Sequence, residues 1–262
     1  MGERLRIGEV PVDVLTFGQA LDEIEALVEA GQGGYVVTPN IDHVVLAEEH
    51  SGFRAAYEAA SLSLVDGMPL VWASRAVGRN LPERISGSDV IPPLMARAAK
   101  KKWRVYFLGG ADGVAQATAE KLKADLGLEV AGYDAPMIPA DPDPAQQREV
   151  LAKIKAAKPD IILVALGAPK QELWMYRCAK DYAPAVALGI GAGLDFVIGR
   201  IRRAPLWMQK SGLEWAHRLA SEPKRLWRRY LVNDPKFLLI LARTLSRPTH
   251  ERVYPHTRQG LK

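Results

Sequence analysis

A single cysteine, Cys178, stands among 262 residues, so no intramolecular disulfide can form and the fold has to rest on its packed core. No apolar run approaches the roughly 18 residues of a membrane-spanning helix. The opening MGERLRIGEV has neither the apolar stretch of a secretory signal nor the Ser or Thr that a myristoylation motif requires. These absences predict a soluble or peripheral protein of the cytoplasm. His43, His50, His217, His250 and His256 show no zinc-binding spacing. Neither a G-x-S-x-G elbow nor a Walker phosphate loop occurs. GGADG (109–113) and GIGAG (189–193) are turns through which a backbone can approach a phosphate, but neither has the G-x-G-x-x-G pattern of a dinucleotide site.

What is present is ordinary in bulk, with 48% hydrophobic and 25% charged residues, and uneven in distribution. Residues 1–195 carry 20 Lys and Arg against 26 Asp and Glu, whereas residues 196–262 carry 15 against 4. A mildly acidic body with a strongly basic tail predicts a polyanionic partner for the tail: membrane phosphate, lipid diphosphate or nucleic acid.

Strands and helices alternate through the first 195 residues. TFGQALDEIEALVEAG (16–31) spaces Phe17, Ala20, Leu21, Ile24, Leu27 and Val28 as a helix, with Gly31 as its stop. GYVVT is a strand, a helical pair covers about 41–60, and SLSLV (61–65) is a strand. PLVWASRAVG (69–78) is a helix with Pro69 in its first turn and Gly78 past its end, and Ser88 is the expected cap of a helix reaching Lys101. The pattern then predicts strands at 104–110, 128–133, 160–167 and 185–191, with helices at 113–126, 144–157 and over KQELWMYRCAK. Such βα units with apolar strands predict an α/β fold, a mostly parallel sheet flanked by helices. Residues 196–262 read as a basic helical appendage in three pieces broken at Pro223 and Pro235. There Arg218, Arg225, Arg228 and Arg229 can share a face with Trp215, Leu226, Trp227 and Tyr230, a mixture suited to a membrane interface.

Three runs carry the chemistry: VVTPNIDH (36–43), LVDGMPLVW (64–72) and ILVALGAPKQE (162–172). Each is a strand ending abruptly in polar or turn-forming residues, and in parallel sheets such loops share the edge where ligands bind. Thr38, Asn40, Asp66, Lys170, Gln171 and Glu172 therefore converge on one crevice. Asp66, before Gly67, reads either as an Asp-Gly turn or as a general base whose carboxylate is desolvated at the crevice mouth. Thr38 and Asn40 are a turn and helix cap or a pair of sugar-hydroxyl ligands. Gln171 and Glu172 are first-turn helix residues or ligands. Arg84, in ERISGSD, is a surface ion-pair partner or a phosphate fork. Asp141-Pro142-Asp143 has the outline of a metal-binding D-x-D, but PADPDPAQQ reads better as a loop and cap, and no metal site is expected.

Together these motifs make the chain similar to the WecG/TagA/CpsF glycosyltransferases. The resemblance runs from about residue 5 to 246 and is carried by TPNIDH (38–43), VDGMP (65–69), ERISGSD (83–89), GAPKQE (167–172), GAGLDF (191–196) and RRAPLWMQKSGLEW…EPKRLWRRY. It implies a Rossmann-like core with a basic C-terminal appendage. It implies inverting transfer of a sugar from a UDP donor to a polyprenyl-diphosphate-linked sugar at the inner face of the plasma membrane, without divalent metal or other cofactor. N-acetylmannosamine is the first expectation for the sugar, with glucose and N-acetylmannosaminuronic acid as alternatives. Asp66 would be the base, with Thr38, Asn40 and Gln171 around the reacting sugars and Arg84 near acceptor or phosphate. Asp195 would bind the donor ribose or uracil, Tyr133 would stack on uracil, and Arg218, Arg225 and Arg228 would close over the diphosphate. Gly109, Gly110, Gly167 and Lys170 would be among the substrate-binding residues. The tail's polyanion is then an anionic membrane surface and not nucleic acid. Removing the tail is expected to abolish transfer and leave a folded core. A nicotinamide-dependent enzyme and a non-catalytic membrane adaptor are the competing classes.

Overall fold

The computed structural model describes residues 2–140 and 143–256, with the side chains of Leu206, Lys210 and Arg225 outside the description. The chain opens with an antiparallel hairpin, β1 (Gly2–Ile7) and β2 (Val10–Asp13), and helix α1 (Phe17–Ala30). Strand β3 (Gly34–Val37) leads through α2 (Ile41–Glu49) and α3 (Ser51–Glu58) to the short β4 (Leu62–Ser63). Helices α4 (Met68–Val77) and α5 (Gly87–Lys101) cross to β5 (Arg104–Gly109), which α6 (Val114–Leu126) joins to β6 (Glu129–Asp134). Helix α7 (Pro144–Ala157), β7 (Ile161–Ala165), α8 (Lys170–Tyr182) and β8 (Val186–Gly189) complete the body.

Strands β3 to β8 form one parallel sheet in the order β4-β3-β8-β7-β5-β6. Side chains alternate across it. Tyr35, Val37, Tyr106, Leu108, Ile162 and Val164 pack on one face, and Val36, Val105, Phe107, Ile161, Leu163 and Leu188 on the other. Both faces are covered, which is why β7 is IILVA, wholly buried and without a polar residue. The predicted α/β sheet between helical layers is thus the observed architecture.

Two boundaries differ from expectation. The cap of α5 is Ser86, two residues before Ser88, and it accepts from Asp89 N at 3.3 Å. Gly87 permits this, because a Cβ there would lie 3.1 Å from the Cα of Ile190 and stop the first turn from pressing against the end of β8. In SLSLV only Leu62 and Ser63 join the ladder, although Leu64 N still bonds Val37 O at 2.9 Å.

The hairpin was absent from the alternating βα pattern. Leu5, Ile7, Val10 and Val12 share one buried face, and the charged Arg4 and Asp13, paired on the opposite face, are buried as well. Burial of this pair is satisfied internally: Arg4 Nε donates to Asp13 Oδ1 at 3.1 Å and Nη2 to Ala60 O at 2.8 Å, while Asp13 Oδ2 accepts from Ser63 N at 2.7 Å.

After β8 the chain forms α9 (Gly193–Val197), α10 (Leu206–Lys210), α11 (Glu214–Ser221) and α12 (Pro223–Arg228). A π-helical turn (Arg229–Asn233) and a 3₁₀ turn (Asp234–Lys236) lead into α13 (Phe237–Ser246), α14 (Thr249–Arg252) and β9 (Val253–His256). The breaks fall where Pro223 and Pro235 stand. Beyond them the tail returns to the body. Strand β9 pairs antiparallel with β1, and α13 buries Phe237 and Ile240. Gly8 N donates to Thr244 Oγ1 at 2.9 Å, and Arg247 Nη1 donates to Gly8 O at 3.0 Å. Residues 198–236 are therefore a strap fastened at both ends.

Candidate active site

Because the six strands are parallel, their C-terminal ends share one edge. Thr38, one residue beyond β3, is buried and its Oγ1 donates to Gly189 O at 3.1 Å, tying that end to β8. Asp66 N donates to Pro39 O at 2.7 Å and Ile85 N to Val65 O at 2.7 Å, which draws the β4–α4 loop and ERISGSD beside the β3–α2 loop. Gly67 takes φ +127°, a left-handed-side conformation that frees the chain to turn into α4 immediately after Asp66. Asn40 caps α2, its Oδ1 accepting from His43 N at 3.3 Å, and the same oxygen accepts from Arg229 Nη2 of the strap at 3.1 Å.

Between these loops and the strap lies a cavity of about 220 Å³, lined by Asn40, Asp66 and Arg84 from the body and Glu214, Arg218 and Arg229 from the strap. Arg84 Nη1 donates to Glu214 Oε2 at 2.7 Å, and its Nη2 to Asp89 Oδ2 at 2.9 Å and Gln209 Oε1 at 3.3 Å. Arg218 Nη2 donates to Glu214 Oε1 at 2.8 Å, and its guanidinium lies 5.6 Å over the Phe196 ring. Asp66 has no side-chain hydrogen bond or ion pair among the described residues. Desolvation pushes its carboxyl up to about 6, against the pull of Arg218 and Arg84, while Glu214 and Asp89 add to the push. A carboxylate poised near neutrality, unengaged and facing a cavity, is suited to take a proton. Across the cavity Asp234 is also raised to about 6, by burial first.

The remaining expected residues lie elsewhere. Gln171 is buried behind β8, with Nε2 donating to Glu172 Oε1 at 2.8 Å and Oε1 accepting from Gly191 N at 3.0 Å. It braces α8 against the β8–α9 loop and does not line the cavity. Gly109 and Gly110 end β5, Gly167 follows β7, and Lys170 opens α8. They lie at the C-terminal ends of the adjacent strands β5 and β7, whose connections depart in opposite directions to β6 and β8, the arrangement that opens a ligand crevice beyond the strand ends. At Gly109 a Cβ would come within 2.8 Å of the Ala165 carbonyl, so only glycine lets β5 close on β7 there. Tyr133 is exposed on β6, and Asp195 sits in α9 with Arg200 at 3.7 Å. Of the three tail arginines, Arg218 lines the cavity, Arg228 points to solvent, and the side chain of Arg225 lies outside the described residues. Asp141 and Pro142 of the D-x-D also lie outside them.

Sequence reasoning passed over Glu214, Gln209, Asp234 and Arg203, the last paired with Asp89. All four stand in or beside the tail motif, but no periodicity shows which tail residues face the cavity. The π turn beginning at Arg229 explains why: its wider pitch breaks the helical phase that Arg228 continues, and it is Arg229 that reaches Asn40.

The sequence profile of the Glycosyl transferase WecG/TagA/CpsF family matches residues 5–251. The chain is also 35% identical over 227 residues, 86% of its length and 83% of the relative's, to an N-acetylglucosaminyldiphosphoundecaprenol N-acetyl-beta-D-mannosaminyltransferase of Bacillus spizizenii.

Proposed function

This chain belongs to the WecG/TagA/CpsF family and is a glycosyltransferase; on that premise we propose that it moves N-acetylmannosamine from a UDP donor to N-acetylglucosamine carried on a polyprenyl diphosphate. The acceptor and sugar rest on the printed activity of the Bacillus relative, and cell-wall polymer synthesis is the setting that activity implies. The observation that carries the mechanism is Asp66, desolvated and unengaged at a cavity that three arginines also enter.

In the proposed reaction Asp66 accepts the proton of the acceptor hydroxyl as that oxygen attacks the anomeric carbon of the donor. The bond to UDP breaks on the opposite face, so the configuration inverts, and UDP leaves with the bonding pair. The departing diphosphate gains negative charge, which Arg84, Arg218 and Arg229 can stabilise as fixed cations. Asn40 supplies an amide where a sugar hydroxyl can bind. The strap covers the cavity, which strengthens these interactions by excluding water and protects the donor from hydrolysis. The glycine-lined crevice beyond the ends of β5 and β7 is the reading for the nucleotide, with Lys170, Tyr133 and Asp195 as its contacts. Arg225 and Arg228 are retained as contacts to phosphate at the membrane side, and Thr38 and Gln171 as supports of the sugar-binding loops.

Among the described residues no helix is long and apolar enough to cross a membrane. The strap and α13 nevertheless expose Trp207, Trp227, Leu231, Leu238 and Leu239 beside basic side chains. We read this surface as lying on the inner face of the plasma membrane, where the lipid-linked acceptor is held.

The test incubates the full chain with polyprenyl-diphosphate N-acetylglucosamine and a panel of UDP-N-acetylmannosamine, UDP-N-acetylmannosaminuronic acid and UDP-glucose, with and without EDTA. Product from the first donor alone, insensitive to EDTA, is the expected result. Product from another donor would reassign the sugar, and no product from any would reopen the donor class.

A further inference from the structure

Glu214 occupies the cavity in a way the transfer reaction does not require. Its two carboxylate oxygens are divided between Arg84 Nη1 at 2.7 Å and Arg218 Nη2 at 2.8 Å, so one anion bridges two cations from distant parts of the chain. The Glu214 side chain is only 16% exposed, and the bridge is correspondingly less screened than a surface ion pair. Carboxylate and phosphate offer a guanidinium similar pairs of oxygens. Each arginine also has an anchor independent of Glu214. Arg84 is held by Asp89 Oδ2 at 2.9 Å and Gln209 Oε1 at 3.3 Å, and Arg218 rests 5.6 Å over the ring of Phe196. Removing the charge of Glu214 therefore leaves both guanidinium groups in place and frees a donor on each.

We propose that Glu214 is a built-in anion that fills the Arg84–Arg218 cradle in the unliganded protein and yields it to the substrate diphosphate, thereby setting the affinity of the cavity for that group. The inference depends on the proposed function for the identity of the diphosphate's owner. It also assigns the strap a residue that opposes binding among several that favour it, so that the cradle is closed when empty and released only by an anion of higher charge.

The same carboxylate contributes to the surroundings of Asp66, which is faced by Arg84, Asp89, Arg203, Arg218, Glu214 and the buried Tyr57 hydroxyl. Glu214 and Asp89 push the Asp66 carboxyl upward and the arginines pull it down. Glu214→Gln removes one upward push, so the acid limb of the transfer rate moves to lower pH.

The decisive measurement is calorimetric titration of inorganic pyrophosphate into the full chain, Glu214→Gln, Glu214→Ala and the double variant Arg84→Gln/Glu214→Gln, each checked for an unchanged melting transition. The expected result is binding tightened at least about threefold by either single change, a modest share of the Coulomb energy of one charge at contact distance, and lost again in the double variant. Equal or weaker binding by both single variants, or no pyrophosphate binding by any form, would overturn the proposal. Pyrophosphate needs neither sugar nor lipid. A protein that shows the tightening yet transfers no sugar would therefore sink the proposed function and leave the role of Glu214 standing.

Discussion

Two desolvated carboxyls, Asp66 and the fully buried Glu172, carry opposite lessons at the scale of single residues. Asp66 is raised to about 6 by desolvation, faces the cavity, and must be ionised to act as a base, so transfer is expected to rise with pH through about 6. Asp66→Asn is expected to lower kcat by about 10²–10⁴-fold with little change in KM. A variant retaining more than a tenth of the rate would remove Asp66 from the mechanism. Glu172 is raised to about 7, chiefly by burial, with Gln171 opposing; its Oε2 has no hydrogen-bond partner among the described residues, and it does not line the cavity. Because its folded-state pKa exceeds the ordinary value, folding is favoured by the bound proton at low pH. That contribution is lost as pH rises through about 7. The melting temperature of the native protein should therefore fall between pH 6 and pH 8.5, and Glu172→Gln should lessen that fall by about 2–4 °C, measured by thermal unfolding at both pH values. Both carboxyls were legible in the sequence as polar groups at strand ends. Which one reaches the cavity was not, because Glu172 begins the buried face of α8 and Asp66 is turned outward by Gly67.

Among the elements, the strap and its fastening decide how the tail can be altered. A chain ending at Gly199 would lose α13 and β9 as well as the strap, baring Ile7, Val44 and neighbouring core residues where Phe237 and Ile240 pack. Burial of two such side chains is worth roughly 3–6 kcal/mol, so that chain is expected to melt about 10 °C lower or to aggregate. A folded remnant of unchanged stability would show that α13 adds nothing to the core. Charge reversal within the strap is a cleaner perturbation. Arg229→Glu breaks the bond to Asn40 and the 3.4 Å pair with Asp42 without touching α13. It is expected to lower kcat and kcat/KM at least tenfold while the melting temperature stays within about 3 °C, since part-exposed ion pairs contribute little to stability. A large fall in melting temperature with an unchanged kcat/KM would make Arg229 structural. The sequence indicated the helix breaks at Pro223 and Pro235. It did not indicate the return to β1, because VYPH lacks the alternation of a strand and pairs only where the hairpin presents an open edge.

Over the whole molecule, the division of charge found in the sequence becomes a division of surfaces. Helix α13 exposes Leu238 at 70% and Leu239 at 77%, and the basic strap before it exposes Arg228 and Lys224, an apolar and cationic surface that is too short to span a bilayer and suited to lie on one. Vesicles with anionic lipid should bind the full chain more tightly than neutral ones, and binding should weaken with salt and in Leu238→Glu/Leu239→Glu, read by co-sedimentation. Equal binding to neutral vesicles would argue against the charge contribution. By itself the sequence determined the parallel sheet, since runs such as IILVA can be stable only when both faces are covered. It also determined the loops carrying Thr38, Asn40 and Asp66, since a turn-forming residue after a parallel strand can lie only at the C-terminal edge. Tertiary structure alone decided the rest. The cavity is closed by residues more than 120 positions from the loops it faces, and one π turn and one return strand set which of them arrive. No local pattern encodes that phase, because it depends on where both ends of the strap are held.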